Sequence, residues 1–365
     1  MTAMKRMITL TAAALVAAVT TLPFSVSGLS AEHAILMDAS TGRVLMEKAA
    51  DSRSLIASTT KIMTALVVCE QCNVLDRMAI PKEAVGIEGS SMYLKEGEIL
   101  TIQDLLYGLM LRSGNDAATA LAIYCGGTVE GFAQLMNDKA HKLGLKDTHF
   151  ENPHGLDSPN HYSTARDMAV LTAYAMCNPV FAQTVSTKSV TAGTRQLQNH
   201  NKLLWRLEGA DGVKTGYTKA AGRILVSSAI RDGRRLIAVT MNAPDDWNDH
   251  ISMINRGFNR YKNKLLVAKG QCVGVRKLAG GTSGCVNLIA VEDFVYSLAD
   301  DEEITFVIGG FDFAYAPVRA GDEAGNLFIC VQGKTVGKVP LVYGGSVEQL
   351  RSVEKPFWRR LIGGS

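Results

Sequence analysis

Beyond its first 30 residues the chain has no apolar run long enough to cross a bilayer, so no further membrane span is expected. Neither charge sign is in excess. The 38 Lys+Arg and 35 Asp+Glu leave a net charge of +3, without the concentrated basic face of a nucleic-acid binder or the look of a partner for polyanions. Cysteines number seven, an odd count that sets out no disulfide framework. Cys125 and Cys177 fall inside apolar helical patterns, where a thiol behaves as a small hydrophobe. The lone Cys69-x-x-Cys72 lacks the second cysteine pair, or the histidine pair, that a zinc site needs, and reads instead as a helix-end thiol pair. No internal repeat is present.

What is there begins with a leader. Lys5 and Arg6 precede an apolar stretch from Met7 to about Val19, followed by Pro23 and the small residues Ser25, Ser27, Gly28 and Ser30. That order predicts a secretory signal peptide over residues 1–30, cleaved near Ser27 or Ser30; an uncleaved anchor is the rival reading. The 365 residues exceed a typical domain, so two are expected: one over 31–268, a smaller one over 271–345, and a tail at 346–365. His33–Asp38 and Arg43–Glu47 flank a Ser40-Thr41-Gly42 turn as a hairpin. Far downstream, Ile224–Ile230 and Arg235–Met241 form a second hairpin at Asp232-Gly233, with Val213–Thr215 as a further strand. Five antiparallel strands from both ends of one domain then make a single sheet.

Between the hairpins the pattern is helical. Ile62, Leu66 and Cys69 recur at helical spacing, and Thr101-x-x-Asp104 is a capping box opening a run to Leu111. A helix over Asp249–Val267, with Ile251, Ile254, Phe258 and Tyr261 on one side, is expected to lie back on the sheet. After Gly270, Gly-rich turns alternate with short runs such as Ile304–Ile308 and Leu327–Val331, the texture of a small all-β domain. In the tail, Phe357, Trp358, Arg359, Arg360, Leu361 and Ile362 would suit peripheral contact with an anionic membrane, with a frayed terminus as the alternative.

Three short motifs carry the chemistry: Ser58-Thr59-Thr60-Lys61, Ser113-Gly114-Asn115 and Lys214-Thr215-Gly216. Singly they are weak, since Ser352–Lys355 and Ser158–Asn160 repeat two of the patterns by chance. At helical spacing Ser58 and Lys61 share one face, which pairs a hydroxyl with an amine able to take its proton. Keeping a reference lysine neutral at pH 7 costs about 4.6 kcal/mol, which burial and a nearby cation, with Lys214 the candidate, can offset. Ser113 is placed to relay a proton and Asn115 to orient Lys61 or bind substrate. Lys214 and Thr215, on a strand edge, can meet a carboxylate, and Gly216 leaves room for close backbone approach. The amides of Tyr217 and Ser58 are candidates for an oxyanion hole.

In this order and context the motifs resemble those of low-molecular-mass penicillin-binding proteins of the D-alanyl-D-alanine carboxypeptidase type. Gly89-Ser90-Ser91-Met92, Asn152–Asp157 and Asp211–Gly216 extend the resemblance over residues 31–345. It implies an α/β fold of the serine β-lactamase/transpeptidase type, an antiparallel five-stranded sheet flanked by helices, with the smaller C-terminal all-β domain near the membrane. It also implies an extracytoplasmic enzyme that removes the terminal D-alanine of peptidoglycan stem pentapeptides through an acyl-enzyme on Ser58. β-Lactams would then be covalent inhibitors, and no metal or organic cofactor would be needed. The carried-over roles are Lys61 as general base, Ser113 and Asn115 as the proton network, and Lys214 with Thr215 on the terminal carboxylate. Arg223 departs from the small or apolar residue expected after Ala221-Gly222.

Three other readings compete. Endopeptidase action on cross-links depends on substrate access. A secreted serine β-lactamase shares the three motifs, but no Glu-x-x-Leu-Asn segment lies between Asn115 and Lys214 to activate a deacylating water. A scaffold that has lost turnover would not need the intact polar set at Ser58, Lys61, Ser113, Asn115, Lys214 and Thr215.

Overall fold

A computed structural model describes residues 28–350. Residues 1–27 of the expected signal peptide and the aromatic, basic cluster of the tail lie outside the described residues. Within that range the chain divides into two compact units, 28–266 with 294–301, and 267–293 with 302–350.

The first unit is built on β1 (His33–Asp38), β2 (Val44–Lys48), β3 (Ala210–Thr218), β4 (Gly222–Arg231) and β5 (Arg234–Met241). They form one antiparallel sheet in the order β2-β1-β5-β4-β3. Both faces are buried, and the period of two decides which residue goes where. Ile35, Met37, Ile237 and Val239 enter one core, whereas Ala34, Leu36, Leu236 and Ala238 enter the other. Register pairs Ile35 with Val239 and Leu36 with Ala238. A slip of one residue would exchange the two sets, so the register is strongly specified.

Six helices cover the first core: α1 (Lys61–Gln71), α2 (Ile102–Leu111), α3 (Asn115–Gly126), α4 (Val129–Lys142), α5 (Ala165–Ala175) and α6 (Pro179–Ser186). At the start of α2, Thr101 Oγ1 accepts from the Asp104 amide at 3.0 Å, and the Thr101 amide donates to Asp104 at 3.2 Å. Such a cap is worth about 1 kcal/mol and fixes where α2 begins, hence where its far end delivers Ser113. The other face carries α7 (Asp246–Arg260) through Met253, Ile254 and Phe258.

Here the structure corrects one expectation: α7 stops at Arg260, and Tyr261–Val267 is a strand paired with Phe294–Ala299. Tyr261 keeps the apolar spacing of the helix, so periodicity does not mark the change; the partner strand about thirty residues on does. Residues 294–301 therefore cluster with the first unit, where a boundary at 268 would leave them in the second.

The second unit is a six-stranded sheet, ordered Ile304–Ile308, Glu323–Val331, Lys334–Tyr343, Cys285–Ala290, Cys272–Ala279, Phe313–Tyr315. Its pairs are antiparallel except the last, and its described residues include no helix. Leu288, Leu327, Ile329, Val339 and Leu341 fill its interior. No helix of the described residues is long and apolar enough to cross a membrane.

All seven cysteines are free thiols. The Cys72 thiol at the end of α1 hydrogen-bonds Cys125 on α3 rather than its sequence neighbour Cys69, whose pKa burial pushes up to about 12.

Candidate active site

A single 3-10 turn, Ala57–Thr60, leads into α1 and sets Ser58 one turn ahead of Lys61. Ala57 adopts φ 44°, a left-handed conformation that costs a non-glycine residue about 1–2 kcal/mol and must be held by its surroundings. Thr59 Oγ1 donates to Ile56 O at 2.5 Å and Thr60 Oγ1 to Ala57 O at 2.8 Å. Thr60 Oγ1 also meets His161 Nε2 at 2.7 Å, while His161 Nδ1 accepts from the Glu151 amide at 3.1 Å. The ring proton therefore sits on Nε2, aimed at Thr60. Burial lowers the His161 pKa to about 4, so this prop stays neutral.

Lys61 is 0 % exposed. Its Nζ lies 3.1 Å from Ser58 Oγ, 2.7 Å from Asn115 Oδ1 and 2.5 Å from His154 O. A neutral amine can satisfy the two carbonyl acceptors with its two hydrogens and turn its lone pair to the Ser58 hydroxyl. Burial, and after it the charge of Lys214, holds the Lys61 pKa well below the usual lysine range; Asp116 pulls the other way.

Between α2 and α3 the chain turns at Ser113, with φ 62°, which brings Ser113 and Asn115 to the same end of the cleft. Asn115 Nδ2 donates to Glu88 O at 2.5 Å, which fixes the amide so that Oδ1 faces Lys61. Next to it, Asp116 accepts from Ser91 Oγ and from the amides of Met92 and Leu94 at 2.6–3.1 Å. These bonds pin the segment that carries Ser90.

Strand β3 is the sheet edge beside the Ser58 turn. A Cβ on Gly216 would lie 3.3 Å from both Ile56 O and the Thr59 nitrogen, so glycine lets strand and turn close together. Lys214 is 1 % exposed; its Nζ donates to Thr215 O at 2.8 Å, and burial lowers its pKa to about 7.

Ser58, Ser113, Thr215, Gly216 and Tyr217 line one cleft of about 370 Å³, together with Ser90, His200, Lys202, Arg223, Asp246 and Trp247. Lys61, Asn115 and Lys214 lie beneath it. Lys214 is thus buried behind Thr215, to which it is bonded, rather than part of the wall. Among the described residues no group of His, Cys, Asp and Glu is arranged to hold a metal ion.

The Ser58 hydroxyl, a buried amine, the Ser113 hydroxyl and a strand edge thus converge from three segments, and the family model for D-alanyl-D-alanine carboxypeptidases matches residues 20–245. The chain belongs to that family. The model for the C-terminal domain of penicillin-binding protein 5 matches residues 261–349. The D-alanyl-D-alanine carboxypeptidase DacF of Bacillus subtilis is 33% identical over 327 residues, 85% of this chain and 84% of the relative. DacD of Escherichia coli K12, another D-alanyl-D-alanine carboxypeptidase, is 35% identical over 328 residues, 84% of each chain. The crystal structure of penicillin-binding protein 5 from Haemophilus influenzae superposes with a TM-score of 0.75 at 30% identity, covering 88% of this chain and 98% of that one.

Several contributors to this carboxypeptidase site escaped the motif reading. The His154 carbonyl on Lys61 is a backbone group, and only the segment Asn152–Asp157 hinted at it. Asp116, the Thr60–His161 prop and the wall residues Asp246 and Trp247 had no motif of their own. Gly155, beside His154, has φ 86°, and a Cβ there would stand 1.9 Å from Ala57 O. Gly155→Ala is therefore expected to displace the Ser58 turn, destabilising the unit by about 2–4 kcal/mol and slowing acylation roughly 10–100-fold. Thermal unfolding and β-lactam acylation kinetics check this; unchanged acylation would show that the loop does not set the turn.

Proposed function

We propose that this enzyme removes the terminal D-alanine of peptidoglycan stem pentapeptides through an acyl-enzyme on Ser58, and that β-lactams acylate the same oxygen. The 3.1 Å approach of Lys61 Nζ to Ser58 Oγ, in a site that disfavours the ammonium, carries the reading. Neutral Lys61 takes the hydroxyl proton as Oγ attacks the carbonyl carbon of the penultimate D-alanine. The oxyanion accepts from the amides of Ser58 and Tyr217. Ser113 gives its hydroxyl proton to the departing amine and takes one back from the Lys61 ammonium, so that as the C–N bond breaks D-alanine leaves a Ser58 ester and Lys61 is neutral again. Water, deprotonated by Lys61, then hydrolyses that ester and restores the hydroxyl. Thr215 faces the terminal carboxylate, while Lys214 depresses the Lys61 pKa from below.

The absence of a Glu-x-x-Leu-Asn segment between Asn115 and Lys214 favours a slowly deacylating carboxypeptidase over a β-lactamase. In this reading the leader exports the chain, the enzyme works outside the cytoplasmic membrane, and the tail touches the membrane surface. The test is the intact mass of the mature protein over an hour with excess penicillin, alongside D-alanine release from a pentapeptide. One lasting adduct, little drug consumed and release of D-alanine are expected. Rapid drug consumption without an adduct would mean a β-lactamase, and neither adduct nor consumption would sink the assignment.

A further inference from the structure

Helices α1 and α3 start side by side at the candidate site. Lys61, the first residue of α1, donates to the side chain of Asn115, the first residue of α3, at 2.7 Å. The two helices pack on one another and run 11 and 12 residues, about 16–18 Å each at 1.5 Å per residue. Their far ends meet as well. There Tyr124 Oη, on α3, donates to Asp76 Oδ2, just beyond α1, at 3.0 Å. Beside that bond Cys72, which caps the C-terminus of α1, shares a thiol hydrogen bond with Cys125 in the last turn of α3.

Sulfur atoms in such contact have little left to travel to the ~2.05 Å of a disulfide bond. Cys72 has an extended backbone, φ −116° and ψ 145°, so its side chain can turn towards Cys125 without unwinding α1. Both thiols are half-buried, within reach of an oxidant yet packed against the core. Cys69 is the weaker partner for Cys72. At helical i,i+3 spacing Cβ atoms stand about 5–6 Å apart, beyond the ~3.8 Å typical of a disulfide, and burial keeps the Cys69 thiol protonated. Among the other cysteines, Cys177 and Cys272 bond the carbonyls of Ala173 and Gly274, and Cys330 meets the Thr335 hydroxyl, each at 3.5 Å. The hydrogen bond from Cys125 lowers the Cys72 pKa and raises that of Cys125, so Cys72 ionises first.

We propose that Cys72 and Cys125 form a disulfide outside the cell, a staple across the far ends of the two helices that present Lys61 and Asn115. The inference rests on the export reading for its oxidising setting. The Cys72 thiolate attacks one sulfur of an external disulfide, either a small molecule or an oxidoreductase, and expels the other as a thiolate. In the mixed disulfide Cys72 no longer holds the Cys125 proton. Cys125 gives that proton to water, attacks Cys72 Sγ and releases the second external thiolate. The pair loses two protons and two electrons, and the external disulfide becomes two thiols. Closed, the bond holds the α1–α3 pair together from the end opposite the Lys61–Asn115 contact.

The test takes the wild-type chain, fully reduced, and holds it under native conditions with oxidised and reduced glutathione. The sample is then quenched with N-ethylmaleimide and digested without reduction. Two of the seven thiols should be lost, in one peptide pair joining Cys72 to Cys125, while Cys69 takes the maleimide. The oxidised chain should melt about 5–10 °C above the reduced one, since the bond closes a loop of about 50 residues. Cys72→Ser and Cys125→Ser should each lose that difference, and Cys69→Ser should keep it. A Cys69–Cys72 bond, a glutathione adduct that never resolves, or no loss of thiols would overturn the proposal. So would a bond that leaves the melting temperature unchanged. A second sample, alkylated in whole cells expressing the chain with its leader, separates the pair from the export reading. The bond in both samples supports both. Closure by glutathione with open thiols in the cell sample overturns the exported setting and leaves the pair standing, whereas no closure by glutathione sinks the pair alone.

Discussion

Ser58→Ala is expected to abolish covalent labelling by penicillin and to cut D-alanine release on the order of 10⁴–10⁶-fold. The variant removes one oxygen from a half-buried turn and leaves the rest of the constellation intact. Lys61 keeps Asn115 Oδ1 and His154 O as partners, and the Thr59 and Thr60 bonds that shape the turn do not involve the Ser58 side chain. The thermal midpoint should therefore move by only a degree or two, so the loss would be chemical rather than structural. Two other hydroxyls, Ser90 and Ser113, line the same cleft. Of these three hydroxyls, that of Ser58 is the one hydrogen-bonded to the Lys61 amine. An adduct that persisted in Ser58→Ala and mapped to either hydroxyl would show that the relay and the nucleophile had been exchanged.

The meeting of the three motifs was legible in the sequence because each motif is a contiguous stretch. Ser58 and Lys61 need only one helical turn to meet, and Lys214–Gly216 needs only to be an edge strand. The five-stranded sheet was legible for a similar reason: two hairpins with clear turns, and strands whose alternation serves two buried faces. What holds the motifs in place was not legible. The carbonyl of His154 and the amides of Met92 and Leu94 carry no residue signature, although they fix Lys61 and the Ser90 segment. Cys72 illustrates the same limit in another form. Its sequence neighbour Cys69 suggested a pair, while the fold supplies Cys125 from a helix more than forty residues away. The end of α7 was hidden because tertiary pairing with 294–299 overrides a helical period that continues through Tyr261.

Two lysines buried side by side are an unfavourable arrangement for folding, and that cost has a measurable consequence. Burial lowers the pKa of Lys214 in the folded protein to about 7, against 10.5 for a solvated lysine. Between these two pH values the unfolded chain binds more protons than the folded one, so stability rises as pH increases from 7 towards 10.5. Below pH 7 the folded state carries the full penalty, of order 5 kcal/mol from the shift alone. A neutral, apolar side chain of similar length at this position, Lys214→Met, should therefore raise the thermal midpoint at neutral pH.

Lys61→Ala is expected to slow acylation of Ser58 about 10²–10⁴-fold, the range for loss of a positioned general base, and pH identifies the cause. In the wild-type enzyme the acylation rate should climb as Lys61 loses its proton, along an acid limb well below the ordinary lysine range, since burial and the Lys214 charge both disfavour the ammonium. Lys61→Ala should lose that limb along with the rate. Lys214→Met leaves burial in place but removes the repulsion, so the Lys61 pKa rises and the same limb moves to higher pH. The two variants thus part company: one flattens the profile, the other displaces it while stabilising the fold. An acid limb that survives in Lys61→Ala would belong to another group. A limb unmoved in Lys214→Met would mean that burial alone keeps Lys61 neutral.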